Sequence, residues 1–312
     1  RVDGPKATPE MVRGLIGFYS PMVGRESELG TLLQLSQYVS AGLGRGIVIL
    51  GEPGMGKTRL IAEWKVASSR EAGLSSLYWV EGRCVSYSQR VAYHLIISML
   101  HSLIGLPDTA EEPEMRAGLC ALLESFSKGT HTSSHVPDLL ESYPYLAHFL
   151  SLALDEEEKE QIRHLEPQTF QARVFTGVKR LLLALAAQQP LAVILEDLHW
   201  ADPSSVEFLT QLLPLATTER ILFCLAMRPE QDTPGWRLVA KAREVLGAGL
   251  TEINLSALSE TETRTLVSNL LEVEALPEGT RTLILKKAEG NPFFVEEVLR
   301  MLVDRQVIIQ KE

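Results

Sequence analysis

A glycine-rich segment at residues 51–58 carries the clearest chemistry in this sequence of 312 residues. The segment reads Gly51-Glu52-Pro53-Gly54-Met55-Gly56-Lys57-Thr58 and matches the pattern GxxxxGK[ST]. Because glycine tolerates positive φ angles, such a loop can turn its backbone N–H groups toward phosphate oxygens. Lys57 is predicted to contact the β- and γ-phosphates of a nucleotide, and the Thr58 hydroxyl to ligate Mg²⁺. We call residues 51–58 the phosphate loop.

Two carboxylates and an arginine follow other apolar runs of the chain. Glu196 and Asp197 come directly after the run 191–195, at the predicted carboxyl edge of a sheet. Glu196 is predicted to be the acid on the Mg²⁺ side, and Asp197 to orient or deprotonate the attacking water. Arg228 follows the run 221–226. It either senses the γ-phosphate or closes its strand end structurally.

The surrounding pattern predicts the elements that must position these residues. The apolar run 46–50 is bounded by glycines and is typical of a strand buried on both faces. A helix is predicted over residues 57–72. Further strands are predicted at 77–82, 191–195, 221–226 and 250–255, alternating with helical patterns. This alternation predicts an α/β P-loop NTPase fold, with a parallel sheet sandwiched by helices.

The sequence also suggests how the chain is organised. Residues 1–20 are rich in glycine and proline and are predicted to be a linker from an upstream domain. The α/β domain is predicted over 21–255, with a helical insertion at about 105–168. Residues 256–312 contain no strand-like run and predict a small all-α domain.

Composition limits the classes of partner. The chain has 30 basic and 40 acidic side chains, a net charge of −10, which argues against the broad basic surface of a nucleic-acid-binding domain. No apolar stretch approaches the roughly 20 residues that span a bilayer. Three cysteines without a CxxC pair fit a reducing cytoplasm. We therefore expect a cytoplasmic protein that binds neither nucleic acid nor membranes.

Four segments together resemble the STAND class of P-loop ATPases, the signal-transducing relatives of AAA+ proteins. They are residues 22–29, the phosphate loop with its continuation into Arg59, residues 194–203 and residues 290–297. The resemblance implies that Val23, Gly24 and Arg25 lie on the adenine side of a bound ATP or ADP. It also implies that Pro292 lies against the adenine and reports which nucleotide is bound.

The sequence departs from the family pattern in two places. The acid on the Mg²⁺ side is Glu196, which is one methylene longer than the usual aspartate. The insertion at about 105–168 is also long for the family, and its purpose is unknown.

The resemblance implies a switch that binds ATP, hydrolyses it slowly and works inside a larger regulatory protein. Effector and sensor domains would lie outside this chain, and the ATP state would form a homo-oligomer. Residues 4–9 and 13–15 resemble, more weakly, the connector that follows a class III adenylate cyclase domain. Kinase-linked and DNA-binding parents remain alternatives.

Two other functions are open at this point. One is an AAA+ ATPase that cycles on nucleic acid, as origin-recognition proteins do, and the net charge opposes it. The other is a small-molecule kinase in which Arg83 or Arg90 binds a phosphate acceptor. The motifs at 22–29 and 290–297 make the kinase the weaker alternative.

Overall fold

The computed structural model describes residues 20–304, except residues 72, 75, 107–108, 128–138 and 272–277. The predicted linker, apart from Ser20, lies outside the described residues, as do the cyclase-like segments 4–9 and 13–15. In the part of the chain that is described, no helix combines the length and apolarity needed to cross a bilayer.

Five strands form one sheet in the described chain. They are β1 (Arg45–Gly51), β2 (Tyr78–Arg83), β3 (Leu191–Glu196), β4 (Ile221–Met227) and β5 (Leu250–Leu255). Their spatial order is β2-β3-β4-β1-β5, and β3 pairs in parallel with both β2 and β4. Every residue of β3 and β4 is buried, which explains the unbroken apolar runs 191–195 and 221–227. The predicted α/β fold with a parallel sheet is confirmed.

Helices separate and follow these strands. They are α1 (Glu26–Ser40), α2 (Lys57–Arg70), α3 (His94–Ile104), α4 (Glu112–Ser127), α5 (Tyr143–Phe149), α6 (Glu156–Arg163), α7 (Pro167–Gln188), α8 (Pro203–Leu212), α9 (Leu215–Thr218), α10 (Pro234–Leu246), α11 (Glu260–Leu271), α12 (Glu278–Ala288) and α13 (Pro292–Asp304). Several begin with proline, whose fixed φ and missing N–H suit the first helical position.

The described residues divide into two compact units. The first consists of residues 20–34, 49–71 and 253–304, and it contains the phosphate loop and α11–α13. The second consists of residues 35–48 and the described residues up to 252, including β2, β3 and β4. The division between the units runs through β1 and β5. The boundary at residues 255 and 256 stays a prediction.

Each unit has its own apolar packing. In the first unit, α11–α13 bury a cluster against which Val23 packs; its members are Leu258, Leu266, Val267, Leu270, Ile284, Ala288, Val295, Leu299 and Leu302. In the second unit, α7 buries one face; the residues of that face are Val174, Gly177, Val178, Leu181, Leu182, Leu185 and Ala186. These spacings of three and four residues produce one apolar stripe per helix.

Candidate functional site

The phosphate loop connects β1 and α2, and two of its glycines have a left-handed backbone. Gly54 and Gly56 adopt φ angles of +82° and +89°, which residues other than glycine rarely adopt. A Cβ at Gly56 would meet no atom within 4 Å, so the space above this residue is open. Within the described residues, the N–H groups of Gly54 and Gly56 donate to no acceptor. Unpaired N–H groups at the start of a helix, with open space beside Gly56, fit an anionic ligand.

Lys57 lies across this loop. Its Nζ donates to the carbonyl oxygens of Gly51 at 2.6 Å and Glu52 at 3.2 Å. Lys57 is also the first residue of α2, with Thr58 next to it. Both residues therefore occupy the positively polarised end of the helix, where phosphate groups are stabilised.

The outer side of the loop contacts the start of α13. The Nδ2 atom of Asn291 donates to the Pro53 carbonyl at 2.9 Å, and the Phe293 N–H donates to the Gly54 carbonyl at 3.4 Å. A Cβ on Gly54 would lie 2.5 Å from Asn291 Oδ1. Gly54 is thus required both by its φ angle and by the close approach of Asn291. These contacts surround Pro292, the residue assigned to the adenine.

No role for Asn291 was predicted from the sequence, although its position indicates one. Asparagine directly before a helix-starting proline is a common N-cap pattern. In the structure, Asn291 Oδ1 accepts from the Phe293 N–H at 3.1 Å, and the residue is only 7% exposed. One side chain therefore caps α13 and also bonds the phosphate loop.

The Arg59 side chain also contacts α13. Its Nη1 lies 3.8 Å from Glu296 Oε1 on α13, and its Nη2 donates to the Ser20 carbonyl. Burial raises the pKa of Glu296, and the positive charge of Arg59 opposes that rise. The guanidinium that was predicted to extend the phosphate loop is thus bonded to protein groups on two sides.

Residues 23–25 are held against α11 and the chain before it. Arg25 is 6% exposed, and its Nη2 donates to the Ser256 carbonyl at 2.5 Å. Gly24 has a φ of +67°, and a Cβ there would lie 2.5 Å from Glu262 Oε1. A hydrogen bond from the Ser259 hydroxyl lowers the pKa of Glu262, which completes a capping box with that serine. The first unit thus contains residues 23–25, the phosphate loop and Pro292.

In the second unit, the acidic pair ends β3 as predicted. Glu196 is 9% exposed, and Asp197 adopts a left-handed φ of 57° that turns the chain sharply after the strand. Arg83, opposite Glu196 in the parallel register, ion-pairs with Asp197; its Nε and Nη2 both lie 3.2 Å from Oδ2. Burial, with a smaller contribution from Glu196, raises the pKa of Cys224.

Arg228 follows β4 and contacts protein groups of the same unit. Its guanidinium carbon lies 5.3 Å from the centre of the Trp200 ring, and its Nη1 lies 3.5 Å from Glu230 Oε1. These contacts supply the structural role that the sequence left open for Arg228. The alternative role, sensing the γ-phosphate, stays a prediction.

Asp202 organises the turn between the acidic pair and α8. It is 2% exposed, its Oδ1 accepts from the N–H groups of Tyr93 and Ser205, each at 2.9 Å, and its Oδ2 accepts from the Ser205 hydroxyl at 2.6 Å. Burial, followed by the charges of Asp202 and Asp197, raises the pKa of Cys84. Asp202 is therefore a structural residue.

We expect Asp202→Ala to lower the free energy of unfolding by about 3 kcal/mol, because it removes a helix cap and leaves buried donors without an acceptor. Urea denaturation monitored by circular dichroism measures this loss. Asp202→Asn retains Oδ1 and should lose about half as much. Equal stability of Asp202→Ala and the parent protein would show that the three bonds contribute nothing.

The side chains that could donate oxygen ligands were compared with what a bound Mg²⁺ requires. Among the described residues, no cluster of three or more His, Cys, Asp or Glu side chains could hold a metal ion. Mg²⁺ in nucleotide sites commonly takes one or two protein oxygens and completes its shell with phosphates and water. The Thr58 hydroxyl in the first unit and the Glu196 carboxylate in the second are each an oxygen donor of the kind that Mg²⁺ takes. Their roles stay predictions.

Comparison with known families gives two matches. Residues 21–224 match the AAA ATPase domain family, and residues 259–311 match a domain family of unknown function, DUF8739. The first match includes the phosphate loop and the acidic pair, and the second covers α11 to α13.

A curated relative and two solved structures are similar to this chain. An uncharacterized protein of Rhizobium meliloti (R02095) is 25% identical over 285 residues, which is 89% of this chain and 25% of that protein. The chain therefore spans about a quarter of that relative's length.

The solved structures are Aeropyrum pernix ORC1 in complex with DNA and Aeropyrum pernix ORC2 in ADPNP–ADP complexes. The match to ORC1 has a TM-score of 0.52 and 13% sequence identity, and it covers 92% of this chain and 62% of the ORC1 chain. The match to ORC2 has a TM-score of 0.51 and 17% sequence identity, and it covers 93% of this chain and 65% of the ORC2 chain. At these identities the similarity shows the fold alone.

Proposed function

Because the chain belongs to the AAA ATPase domain family, we propose that it is a STAND-type switch module that binds ATP or ADP and hydrolyses ATP slowly. It would act within a larger regulatory protein, with effector and sensor domains outside this chain. The much longer Rhizobium meliloti relative supports that setting. Assembly of the ATP state into a homo-oligomer is part of the proposal.

Each predicted site residue has a role in this proposal. Lys57 binds the β- and γ-phosphates, Thr58 and Glu196 hold Mg²⁺, and Asp197 orients the attacking water. Bound Mg²⁺ would neutralise charge on the phosphates. Residues 23–25 and Pro292 enclose the adenine, while Arg228 responds to the γ-phosphate.

The contact between α13 and the phosphate loop is the observation that carries the switch. Asn291 and Phe293 bond the carbonyls of Pro53 and Gly54, two residues of the loop that the nucleotide would occupy. A change in the loop backbone on nucleotide exchange would therefore alter the bonds that hold α13. A ligand shifts a conformational equilibrium only by binding its states unequally, and a change in these bonds between the ADP and ATP states would be such a difference.

Nucleotide content and hydrogen exchange test the proposal together. We expect the purified protein to contain ADP, and the amides of α13 to exchange at different rates in ADP and in a non-hydrolysable ATP analogue. Identical exchange of α13 in both nucleotides would exclude the switch while leaving nucleotide binding intact. Strong stimulation of hydrolysis by DNA would favour an ATPase that cycles on nucleic acid.

We expect Asn291→Ser to uncouple α13 from the nucleotide. Serine can still cap the helix, but it is too short to reach the Pro53 carbonyl. Losing one hydrogen bond of about 1 kcal/mol should change the ratio of ATP to ADP affinity about fivefold. Titration with each nucleotide, and hydrogen exchange of α13, measure the effect.

Asn269→Ser is the matched control because it makes the same change on α11. We expect it to preserve both the affinity ratio and the nucleotide-dependent exchange of α13. If Asn291→Ser also preserved both, the 2.9 Å bond would have no part in coupling.

A further inference from the structure

A polar cavity lies in the second unit, between the later part of the predicted insertion and α7. Its volume is about 340 Å³, which is within the range of pockets that hold small molecules. Its walls come from the chain before α5, from α5 and α6, and from residues 173–180 of α7. None of the residues assigned to the nucleotide lines it.

Two arginines of α7 give the cavity its charge. Arg173 and Arg180 are about two turns apart, so their side chains leave the same face of the helix about 10 Å from each other. Glu141 is the one carboxylate in the lining, and the lining is therefore net positive. Within the described residues, Arg180 forms no ion pair, and the Arg173 guanidinium lies 5.8 Å from the Tyr145 ring centre.

Ser142 adds a hydroxyl to the lining. It lies directly before α5 and is only 4% exposed. A Cβ on Gly177 would lie 3.0 Å from Ser142 Cβ, so α7 approaches this serine closely.

The donors in this cavity suit oxyanions. Arginine offers planar pairs of N–H donors that match phosphate or carboxylate oxygens, and these charge-assisted bonds are among the strongest in proteins. Ser142 and Gln161 add neutral donors to the lining. Two cationic groups about 10 Å apart on one helix face match a ligand with an anionic group at each end.

We propose that this cavity binds a small molecule with two anionic groups, phosphate or carboxylate, through Arg173 and Arg180. The site is independent of the nucleotide switch, since it shares no residue with the phosphate loop or the acidic pair. It gives α7 and the later part of the insertion a ligand-binding role.

Calorimetric titration tests the site with defined probes. Fructose 1,6-bisphosphate and adipate carry anionic groups at both ends, whereas fructose 6-phosphate and inorganic phosphate carry one. We expect saturable binding of a two-ended probe, and at least about tenfold weaker binding in Arg173→Gln and in Arg180→Gln. The two-ended probe that binds with the higher affinity shows whether the cavity prefers phosphate or carboxylate.

Two further variants separate this cavity from other sources of binding. Lys179→Gln removes the same charge from the residue beside Arg180 but does not touch the cavity, and Lys57→Ala alters the phosphate loop. We expect both variants to bind the two-ended probes as the parent protein does.

Three results would overturn the proposal. One is the absence of saturable binding of every probe up to about 10 mM. Another is an equal loss in Lys179→Gln, which would mean attraction by net charge only. The last is loss in Lys57→Ala with full binding in Arg180→Gln, which would assign the probes to the phosphate loop. Arg173 is exposed, so Arg173→Gln should fold normally and keeps the test valid if Arg180→Gln does not.

Discussion

Replacing Lys57 with alanine should reduce nucleotide affinity at least about 100-fold, so that the protein purifies without nucleotide. The reason is electrostatic, because Lys57 Nζ is the cation that lies directly on the loop, 2.6 Å from the Gly51 carbonyl. Its removal deprives the phosphates of a charge-assisted bond at the place where the open backbone of Gly56 would bind them. Chromatography of released nucleotide and titration with a fluorescent ATP analogue measure the loss.

The control for this experiment is Lys241→Ala. Lys241 lies on α10, where its Nζ bonds Glu244 at 2.6 Å on the surface of the second unit. We expect it to leave nucleotide content and affinity unchanged. Unaltered affinity in Lys57→Ala, with normal folding, would refute the assignment of residues 51–58 to phosphate binding.

Replacing Asp197 with asparagine should leave ATP affinity within about twofold and slow hydrolysis by about 10²- to 10⁴-fold. Asparagine tolerates the left-handed φ of 57° at this position and retains the shape of the side chain, so the turn after β3 should persist. What it loses is the carboxylate that would accept a proton from water. Single-turnover hydrolysis of prebound ATP measures the chemical step without interference from slow product release.

The neighbouring acid provides the contrasting result. Glu196→Gln should weaken binding of ATP in the presence of Mg²⁺, because it removes the proposed carboxylate ligand. Asp232→Asn, an exposed position beyond β4, is the control for loss of a carboxylate. The opposite pattern would be loss of hydrolysis only in Glu196→Gln and loss of Mg²⁺ binding only in Asp197→Asn. It would make Asp197 the metal ligand and Glu196 the residue that acts on water.

The local pattern of residues was sufficient to predict the elements that carry the site. The sequence pattern predicted a helix over residues 57–72, where α2 occupies Lys57–Arg70, and the unbroken run 221–226 predicted β4. Both signals are local, because a buried strand needs continuous apolar residues and a half-buried helix needs an apolar stripe. The motif between β1 and α2 likewise specified a loop whose chemistry resides in its own backbone and in Lys57.

Other features depend on residues that are distant in sequence. Asn291 and Pro53 are separated by 238 positions, and Arg83 and Asp197 by 114. No periodicity or spacing in the sequence predicts either contact. The same holds for Asp202, whose bond to Tyr93 joins two turns that are 109 positions apart. Such contacts follow from strand order and helix docking.

The amino-acid sequence by itself thus determined the α/β class, the phosphate loop and the acidic end of β3, because each is encoded in consecutive residues. Only the tertiary structure decided that Asn291 bonds the loop, that Arg83 pairs with Asp197, and that Arg173 and Arg180 face one cavity. The physical reason is that hydrogen bonds and ion pairs act over a few ångströms. Their partners are therefore chosen by packing, which brings together side chains that the sequence keeps far apart.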